Sequence, residues 1–186
     1  HTTVTLFEVM VASEKKVWAQ IGTVMTKERF RKQGLSRYLM QRIQQDFNKK
    51  IDGMFLFAND SVLDFYQKFG FIPVKEFQAG RKVNYKKSSF QAKQLDMDHE
   101  NNRKLLETYV ENALPNSFFN LKNSDLTFFY CYAYPDFGFK NAIFYIEALE
   151  TIAIAQIEEN VLHLLNVFKL RNVDMNDIIP ALSNPD

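Results

Sequence analysis

Residues 3–12 and residues 17–25 are two stretches rich in apolar residues; in the first, Val4, Leu6 and Val9 are apolar, with Phe7 and Met10 interspersed. Such stretches are typical of strands. The polar segment Ser13-Glu14-Lys15-Lys16 separates the two stretches. Two such strands joined by a short polar turn form a β-hairpin, so residues 3–25 are expected to fold as a hairpin.

A period of four begins after a charged loop. Leu35, Leu39, Ile43 and Phe47 recur every four residues, with Met40 beside them. This spacing places the five side chains on one face of a helix. The pattern therefore predicts an amphipathic helix that ends near residue 48.

The loop before this helix contains Arg31, Lys32 and Gly34. A helix that begins directly after a loop leaves several backbone N–H groups without partners, and the helix dipole adds partial positive charge at the same end. Gly34 has no side chain that would keep a ligand away from the backbone. The segment is therefore a candidate cradle for an anion such as a pyrophosphate.

A short, nearly all-apolar run at residues 54–58 predicts a strand buried on both faces. Asp60 or Ser61 is placed to cap a following helix, and Gly70 is placed to end it. The next apolar stretches are predicted as two closing strands, at residues 71–77 and 82–85.

From residue 88 the pattern begins again. Asp98 is predicted to cap a helix that runs to about Asn112, and residues 174–182 are predicted as a further helix. The remaining apolar stretches are predicted as strands, at residues 90–95, 126–134, 142–148, 151–157 and 161–168. Because strands and helices are mixed along the whole chain, the predicted fold class is α/β, of the mixed α+β kind.

The composition narrows the function classes. The 186 residues carry a formal net charge of +1 at pH 7, so bulk charge gives no case for binding nucleic acid or an anionic membrane. No apolar run approaches the length of a membrane span, and no stretch resembles a signal peptide. The single cysteine, Cys131, lies in an apolar run, which favours a buried, inert thiol over a nucleophile. We expect a cytoplasmic protein without disulfides.

Two motifs resemble the signatures of the GNAT superfamily, the acyl-CoA-dependent N-acyltransferases. Arg31-x-x-Gly34-x-Ser36 is similar to the first, Arg/Gln-x-x-Gly-x-Gly/Ala. Ser36 departs from that pattern, because the family usually has Gly or Ala there. Ser is small, so close approach of a ligand is only mildly hindered.

The second motif lies one helix and one strand further along. Asn59, with Tyr66 seven residues later and the pair Gly70-Phe71 after it, is similar to the second GNAT signature. The first motif alone is weakly specific, since an exposed charged loop often contains a glycine. The two motifs in this order make the resemblance strong.

The resemblance also implies a domain organisation. Residues 1–87 resemble the back part of the GNAT fold and are predicted to be the acetyl-CoA-binding module. Residues 88–186 resemble the front part of a second, degenerate GNAT-like module, as in bacterial two-module GNAT proteins. The expected cradle position of this second half, residues 169–173, contains no glycine, so no second acyl-CoA site is expected there.

By this resemblance, the cradle binds the pyrophosphate of acetyl-CoA, and the preceding strand end contacts the pantetheine arm as an added strand contacts a sheet edge. Asn59 is compatible both with a contact to that arm and with an ordinary turn at a strand end. The predicted acetyl-CoA-binding residues are Val24, Met25, Thr26, Arg31, Lys32, Gln33, Gly34, Leu35, Ser36, Arg37, Asn59 and Phe65.

Tyr66 is the predicted catalytic residue. Transfer of an acyl group from a thioester to an amine must return a proton to the departing thiolate, and a positioned phenol can supply it. The alternative is an aromatic side chain that packs beside Phe65. Glu8 is a candidate general base, although a solvated carboxylate on a strand is the simpler interpretation. His1, His99 and His163 show no spacing typical of a metal site, so no metal is expected.

The resemblance implies an N-acetyltransferase that transfers an acetyl group from acetyl-CoA to a primary amine by direct attack. The amine belongs to a small molecule or a peptide, and neither nucleic acid nor a membrane is an expected partner. The alternative is a non-catalytic acyl-CoA-binding or scaffolding module. Whether the protein forms a homodimer is left open.

Overall fold

The structure is a computed structural model that describes residues 1–83, 88–134 and 137–183. The chain divides into two compact units. Unit 1 comprises His1–Gly80 with Ser117–Lys122, and unit 2 comprises Arg81–Asn116 with Asn123–Asp186. The predicted division into two GNAT-like modules after residue 87 stays a prediction. The two units are defined by compactness alone, and Ser117–Lys122, from the second half of the chain, belongs to unit 1.

The described residues contain strands and helices in mixed order, as the sequence predicts. The strands are β1 (Thr3–Val11), β2 (Glu14–Gly22), β3 (Gly53–Phe55), β4 (Lys93–Gln94), β5 (Phe119–Lys122), β6 (Ile143–Ile146), β7 (Thr151–Glu158) and β8 (Val161–Lys169). The α-helices are α1 (Leu35–Phe47), α2 (Leu63–Gln67), α3 (Glu100–Asn112), α4 (Ser124–Phe128) and α5 (Met175–Leu182). None of the described helices combines the length and hydropathy that a membrane span requires.

Unit 1 is built on a four-stranded sheet in the order β3-β2-β1-β5. The predicted hairpin is confirmed, with β1 antiparallel to β2. Strand β5 adds antiparallel to the far side of β1, and β3 adds parallel to β2. Strands β2 and β3 are parallel because the crossover through α1 returns the chain to the same end of the sheet.

The predicted amphipathic helix is also confirmed. Its apolar face buries Met40 completely and half-buries Leu39, Ile43 and Phe47. Leu35, at the first position of α1, is 43% exposed instead. The exposed first turn belongs to the open end of the helix rather than to the core.

Two of the predicted strands of unit 1 differ in the structure. The run at residues 54–58 is not buried on both faces, because β3 is a three-residue edge strand and Phe57 is 70% exposed. Residues 71–77 form no strand. Pro73 lacks an N–H for a ladder, and Ile72 and Val74 are more than 80% exposed rather than packed on a neighbour. The other predicted closing strand, 82–85, lies partly outside the described residues.

Unit 2 is built on an antiparallel sheet in the order β4-β6-β7-β8. Two clusters of buried residues hold it together. One joins the sheet to α3 through residues such as Leu106 and Ile152, and the other joins it to α5 through Ile178 and Ala153. The three predicted strands at 142–168 and the predicted last helix are confirmed.

Three predictions in unit 2 need correction. The aromatic run at 126–134 is helical, as α4 continued by the π-helical turn Phe129–Ala133. The N-cap of α3 is His99, not Asp98. The strand predicted at 90–95 shrinks to the two residues of β4. In the first case a cap outweighs strand propensity, because the Asn123 side chain accepts a hydrogen bond from the Leu126 N–H at 2.7 Å.

Candidate active site

The loop between β2 and α1 ends in a left-handed glycine. Gly34 has φ 78° and ψ 4° and occupies the N-cap position of α1 without any side-chain cap. Its carbonyl accepts the first intrahelical bond, from the Tyr38 N–H at 2.9 Å. The N–H groups of residues 35–37 therefore precede the regular ladder of the helix. No described residue accepts a hydrogen bond from them.

The space beside Gly34 is open. A Cβ built on Gly34 would meet no other atom within 4 Å. Lys32 and Arg37 are exposed on either side of the glycine and form no ion pair with a described residue. The helix end is thus positively charged, accessible from solvent and uncovered by side chains, which is the environment that binds phosphate groups.

Hydrogen bonds tie the loop to the segment that follows β2. The hydroxyl oxygens of Thr26 and Ser36 lie 2.9 Å apart, and Arg31 Nε donates to the Thr26 carbonyl at 3.3 Å. Gln33 Nε2 makes a longer bond, 3.5 Å, to the Arg29 carbonyl. Ser36 therefore does more than replace a small residue of the motif, since its hydroxyl fixes the first turn of α1 against Thr26.

The backbone of residues 23–26 is extended but irregular. Strand β2 ends at Gly22, three residues before the predicted end at Met25. Thr23 has φ 46°, and Met25 exchanges two backbone hydrogen bonds with His1, both 3.0 Å. The β1–β2 register pairs Thr3 with Gly22, so one extra residue is accommodated on the β2 side. This is the pattern of a β-bulge, which re-aims backbone groups at a strand end.

A cleft edge results at the ends of the two parallel strands. The pairing of β2 with β3 stops at Gln20 and Phe55, and the two segments are not paired beyond that point. Backbone N–H and C=O groups alternate in direction along an extended chain. Those of Met25 point to His1, so those of Val24 and Thr26 point to the opposite side. That side is the one on which β3 has ended.

The second motif forms a short helical segment after β3. Asn59 is exposed and precedes a 3-10 turn at Asp60–Val62, which no side chain caps. The predicted cap by Asp60 or Ser61 is thus wrong. Asn59 has an extended backbone, with ψ 145°, as expected of a residue that leaves a strand. Its amide is not used for capping.

Tyr66 lies on α2 and is half-buried. Its ring contacts the rings of Phe65 and Phe71, with centroids 5.2 and 6.3 Å away. Burial raises the pKa of the Tyr66 phenol, because a phenolate loses solvation there. The hydroxyl therefore keeps its proton at neutral pH and can act as an acid.

One hydrogen bond positions α2 against α1. Gln44 Nε2, in the middle of α1, donates to the Phe69 carbonyl at 2.7 Å. This bond joins the helix of the first motif to the turn that ends the second. Neither this bond nor the Thr26–Ser36 pair has a signal in the sequence, because both depend on residues brought together by the fold. The turn itself ends at Gly70, with φ 83°, as predicted.

The remaining candidates are less defined. Glu8 is exposed on β1 and stands opposite Lys122 of β5 in the ladder, so its role as a base stays a prediction. The described histidines, cysteine and carboxylates contain no group that could hold a metal ion. The assignment of the predicted acetyl-CoA-binding residues to a ligand also stays a prediction.

Comparisons with known proteins agree with this geometry. Residues 9–87 match the family model of the acetyltransferase (GNAT) domain, and no curated protein matches the chain. A solved structure with a similar fold is a conserved protein of unknown function from Enterococcus faecalis V583, a probable N-acyltransferase, with a TM-score of 0.61 and 15% identity. The match covers 98% of this chain and 46% of that one, so the chain spans less than half the length of this neighbour. Residues 9–87 are thus similar in sequence to a GNAT acetyltransferase domain, and the fold of the chain is similar to that of a probable N-acyltransferase.

Proposed function

We propose that this protein is an acetyl-CoA-dependent N-acetyltransferase that acts on a primary amine. The observation that carries the proposal is the open, basic N-terminus of α1 at Gly34, next to an unpaired strand end. A Cβ built on Gly34 would have no atom within 4 Å apart from those of its chain neighbours and of the backbone of α1. A site of this shape fits a pyrophosphate with an extended arm attached to it.

The loop and helix supply the anion site. The backbone N–H groups of residues 35–37 bind the pyrophosphate, and the helix dipole favours its charge. Lys32 and Arg37 add full positive charges, while Arg31 holds the loop through Thr26. Because these cations are exposed, their effect on affinity decreases with ionic strength.

The strand end supplies the site for the pantetheine arm. The backbone groups of Val24 and the N–H of Thr26 pair with the amides of the arm, in the manner of strand addition to a sheet edge. The Thr26 carbonyl is already bonded to Arg31 Nε. Asn59, at the corresponding end of β3, contacts the arm from the other side. The bulge at Thr23 aims a backbone N–H at the thioester carbonyl, where negative charge develops during acyl transfer.

Tyr66 acts as general acid. A neutral primary amine attacks the thioester carbonyl, the C–S bond breaks, and Tyr66 donates its proton to the departing thiolate. The attacking nitrogen loses its excess proton to a base or to solvent, so that charge balances over the turnover. The raised pKa of Tyr66 suits this role, because the phenol remains protonated at the pH at which amines become nucleophilic.

A small-amine panel assayed by release of free coenzyme A thiol tests the proposal. We expect acetyl-CoA-dependent thiol release with at least one primary amine and none with the corresponding alcohol. Tight binding of acetyl-CoA without turnover on any amine or peptide would instead support the alternative, a non-catalytic acyl-CoA-binding module. Because the chain spans less than half of its structural neighbour, the panel is best run on the longest natural chain that contains these residues.

A further inference from the structure

Unit 2 contains a cavity of about 560 Å³ that plays no part in the proposed acyl transfer. Its size is typical of a small-molecule site. All of its lining residues belong to unit 2, whereas the predicted acetyl-CoA site lies in unit 1. Those used in the argument below are Gln94, Tyr134, Phe137, Lys140, Phe144, Ile157 and Glu158.

The cavity forms where β7 extends beyond its neighbour. The pairing of β6 with β7 ends at Ile143 and Ile154, followed by one more bond from the Ala155 N–H to the Ala142 carbonyl at 2.8 Å. Ile157 comes two residues later on β7. Backbone groups repeat their direction every second residue, so the N–H and C=O of Ile157 point to the side that β6 has left. No described residue bonds to them.

Aromatic rings form one wall of this cavity. The ring centroids of Tyr134 and Phe137 lie 4.6 Å apart in an edge-to-face arrangement. Phe137 is 61% exposed, which leaves most of its surface open to a ligand. Phe144 is half-buried on the sheet, and Ala155 is buried. The wall offers apolar contact area and the electron-rich faces of rings, which attract cations.

The cavity offers several hydrogen-bond acceptors. Among the described lining residues the one cation is Lys140, which is already engaged, because its Nζ lies 2.7 Å from Asp98 Oδ1. Glu158 is exposed and forms no ion pair with a described residue. Gln94 uses its Nε2 to donate to the Asn141 carbonyl at 2.7 Å, which leaves its Oε1 as an acceptor. With the Ile157 carbonyl, these groups present negative or partly negative atoms.

We propose that this cavity binds a small organic cation, a primary amine with an aromatic or aliphatic body. The ammonium group donates hydrogen bonds to the Glu158 carboxylate and the Ile157 carbonyl. The body lies against Tyr134, Phe137 and Phe144. This site goes beyond the proposed acetyltransferase activity, because it needs neither acetyl-CoA nor Tyr66.

Three probes with the same ring and different polar ends test the proposal by calorimetry, without acetyl-CoA. They are 2-phenylethylamine, 2-phenylethanol and 3-phenylpropanoate. For the amine we expect saturable binding with a Kd of roughly 1 mM or lower, as is reasonable for a ligand of this size. The alcohol and the carboxylate should bind more weakly. Equal binding of the alcohol, or tighter binding of the carboxylate through Lys140, would overturn the proposal.

Two neighbouring glutamates give a matched pair of variants. Glu158→Gln should weaken binding of 2-phenylethylamine roughly five- to tenfold, because a hydrogen bond to a charged group becomes a neutral one. Glu159 stands next to Glu158 in the β7–β8 turn but does not line the cavity, so Glu159→Gln should leave the Kd unchanged. Equal effects of both variants would mean that only the general surface charge attracts the amine, and the proposal would fail. Failure to detect saturable binding to the wild type would also refute it, without consequence for acyl transfer in unit 1.

Discussion

The N-termini of α1 in unit 1 and α5 in unit 2 are built in opposite ways. Each helix follows a strand and a loop, which is longer before α1. The N-cap residue of α1 is Gly34, which has no side chain to cap the helix. The N-cap residue of α5 is Asp174, whose carboxylate accepts a hydrogen bond from the Asn176 N–H at 2.8 Å. One helix end is left open to an external anion, and the other is already filled by an anion of the chain itself.

The basic residues near the two helix ends differ in the same sense. In unit 2, Arg171 is paired with Glu150 at 3.0 Å and donates to the Ala148 carbonyl at 2.8 Å. In unit 1, Lys32 and Arg37 are exposed and form no ion pair within the described residues. The comparison supports the proposed anion site at α1, because a helix end can bind an external anion only when side chains of its own chain do not already satisfy it.

The largest expected effect comes from closing the open end. Gly34→Asp places a carboxylate where the pyrophosphate is expected, and like charges brought together cost several kcal/mol. We expect calorimetry to detect no binding of acetyl-CoA, and turnover to be lost with it.

Gly70→Asp is the matched control for this variant. Gly70 is also in unit 1, has φ 83° against 78° for Gly34, and likewise has no neighbouring atom within 4 Å of a built Cβ. Both variants therefore impose a similar backbone strain and the same added charge. If the two lose binding equally, general strain or net charge explains the effect, and the anion site at α1 is ruled out.

Tyr66→Phe tests whether unit 1 also carries the proton donor. The variant keeps the ring that packs against Phe65 and Phe71 and removes only the hydroxyl. We expect kcat to fall ~100- to 10,000-fold with little change in acetyl-CoA affinity. An unchanged kcat would leave Tyr66 as an ordinary core aromatic.

The pH dependence of the wild type sharpens the same point. Because burial raises the pKa of Tyr66, its acid form persists above the usual phenol value of about 10. The rate should therefore rise with pH as the amine loses its proton, and should not fall through loss of the acid until the pH exceeds that value. A descending limb at lower pH that persists in the Phe variant would assign the limb to another group.

Gln44→Ala tests the link between the two motifs of unit 1. The half-buried bond from Gln44 to the Phe69 carbonyl should contribute about 0.5–1.5 kcal/mol to the free energy of unfolding. We expect denaturant unfolding to show a loss of that order, and kcat to fall more than the affinity for acetyl-CoA, since Tyr66 precedes Phe69 by only three residues. Gln41, exposed on the same helix, provides a control as Gln41→Ala, which should change neither quantity.

The smallest expected effect concerns the closed end. Hydrogen bonds from Asn176 hold the pKa of Asp174 below its usual range. The bond from the Asn176 backbone has the largest effect, and the bond from its side chain adds to it. A carboxyl group whose pKa is lower in the folded state stabilises the fold above its unfolded pKa, and that contribution is lost as the pH falls through the folded pKa. Asp174→Asn should therefore lower the Tm slightly at pH 7, and the difference should begin to shrink as the pH falls below about 4. A difference that persists unchanged in acid would mean that the charge of Asp174 plays no part.

The sequence predicted those parts of the fold whose signal is local. The apolar stretches of β1 and β2, separated by a polar turn, predicted the hairpin correctly, and the four-residue period of α1 predicted its buried face. The same holds for β6 to β8 and α5. The two motifs likewise located the loop at Gly34 and the segment at Tyr66, because a glycine before a helix has a local meaning.

The errors arose where distant partners decide the structure. Residues 71–77 have strand-like composition, yet a strand needs a neighbour, and the sequence cannot show that one is missing. The aromatic run at 126–134 has high strand propensity, but the cap at Asn123 and burial of Cys131 make it helical. The Thr26–Ser36 and Gln44–Phe69 hydrogen bonds were not predictable, because each joins side chains or carbonyls from separate elements.

Mapping of coenzyme A binding by amide chemical shifts tests the difference between the two helix ends most directly. We expect titration of the isotopically labelled chain with coenzyme A to shift the amide signals of residues 33–37, at the N-terminus of α1, and to leave those of residues 175–177 unchanged. The titration should also saturate at one ligand per chain. Shifts centred on α5, saturation at two ligands, or an unperturbed α1 N-terminus would contradict the account.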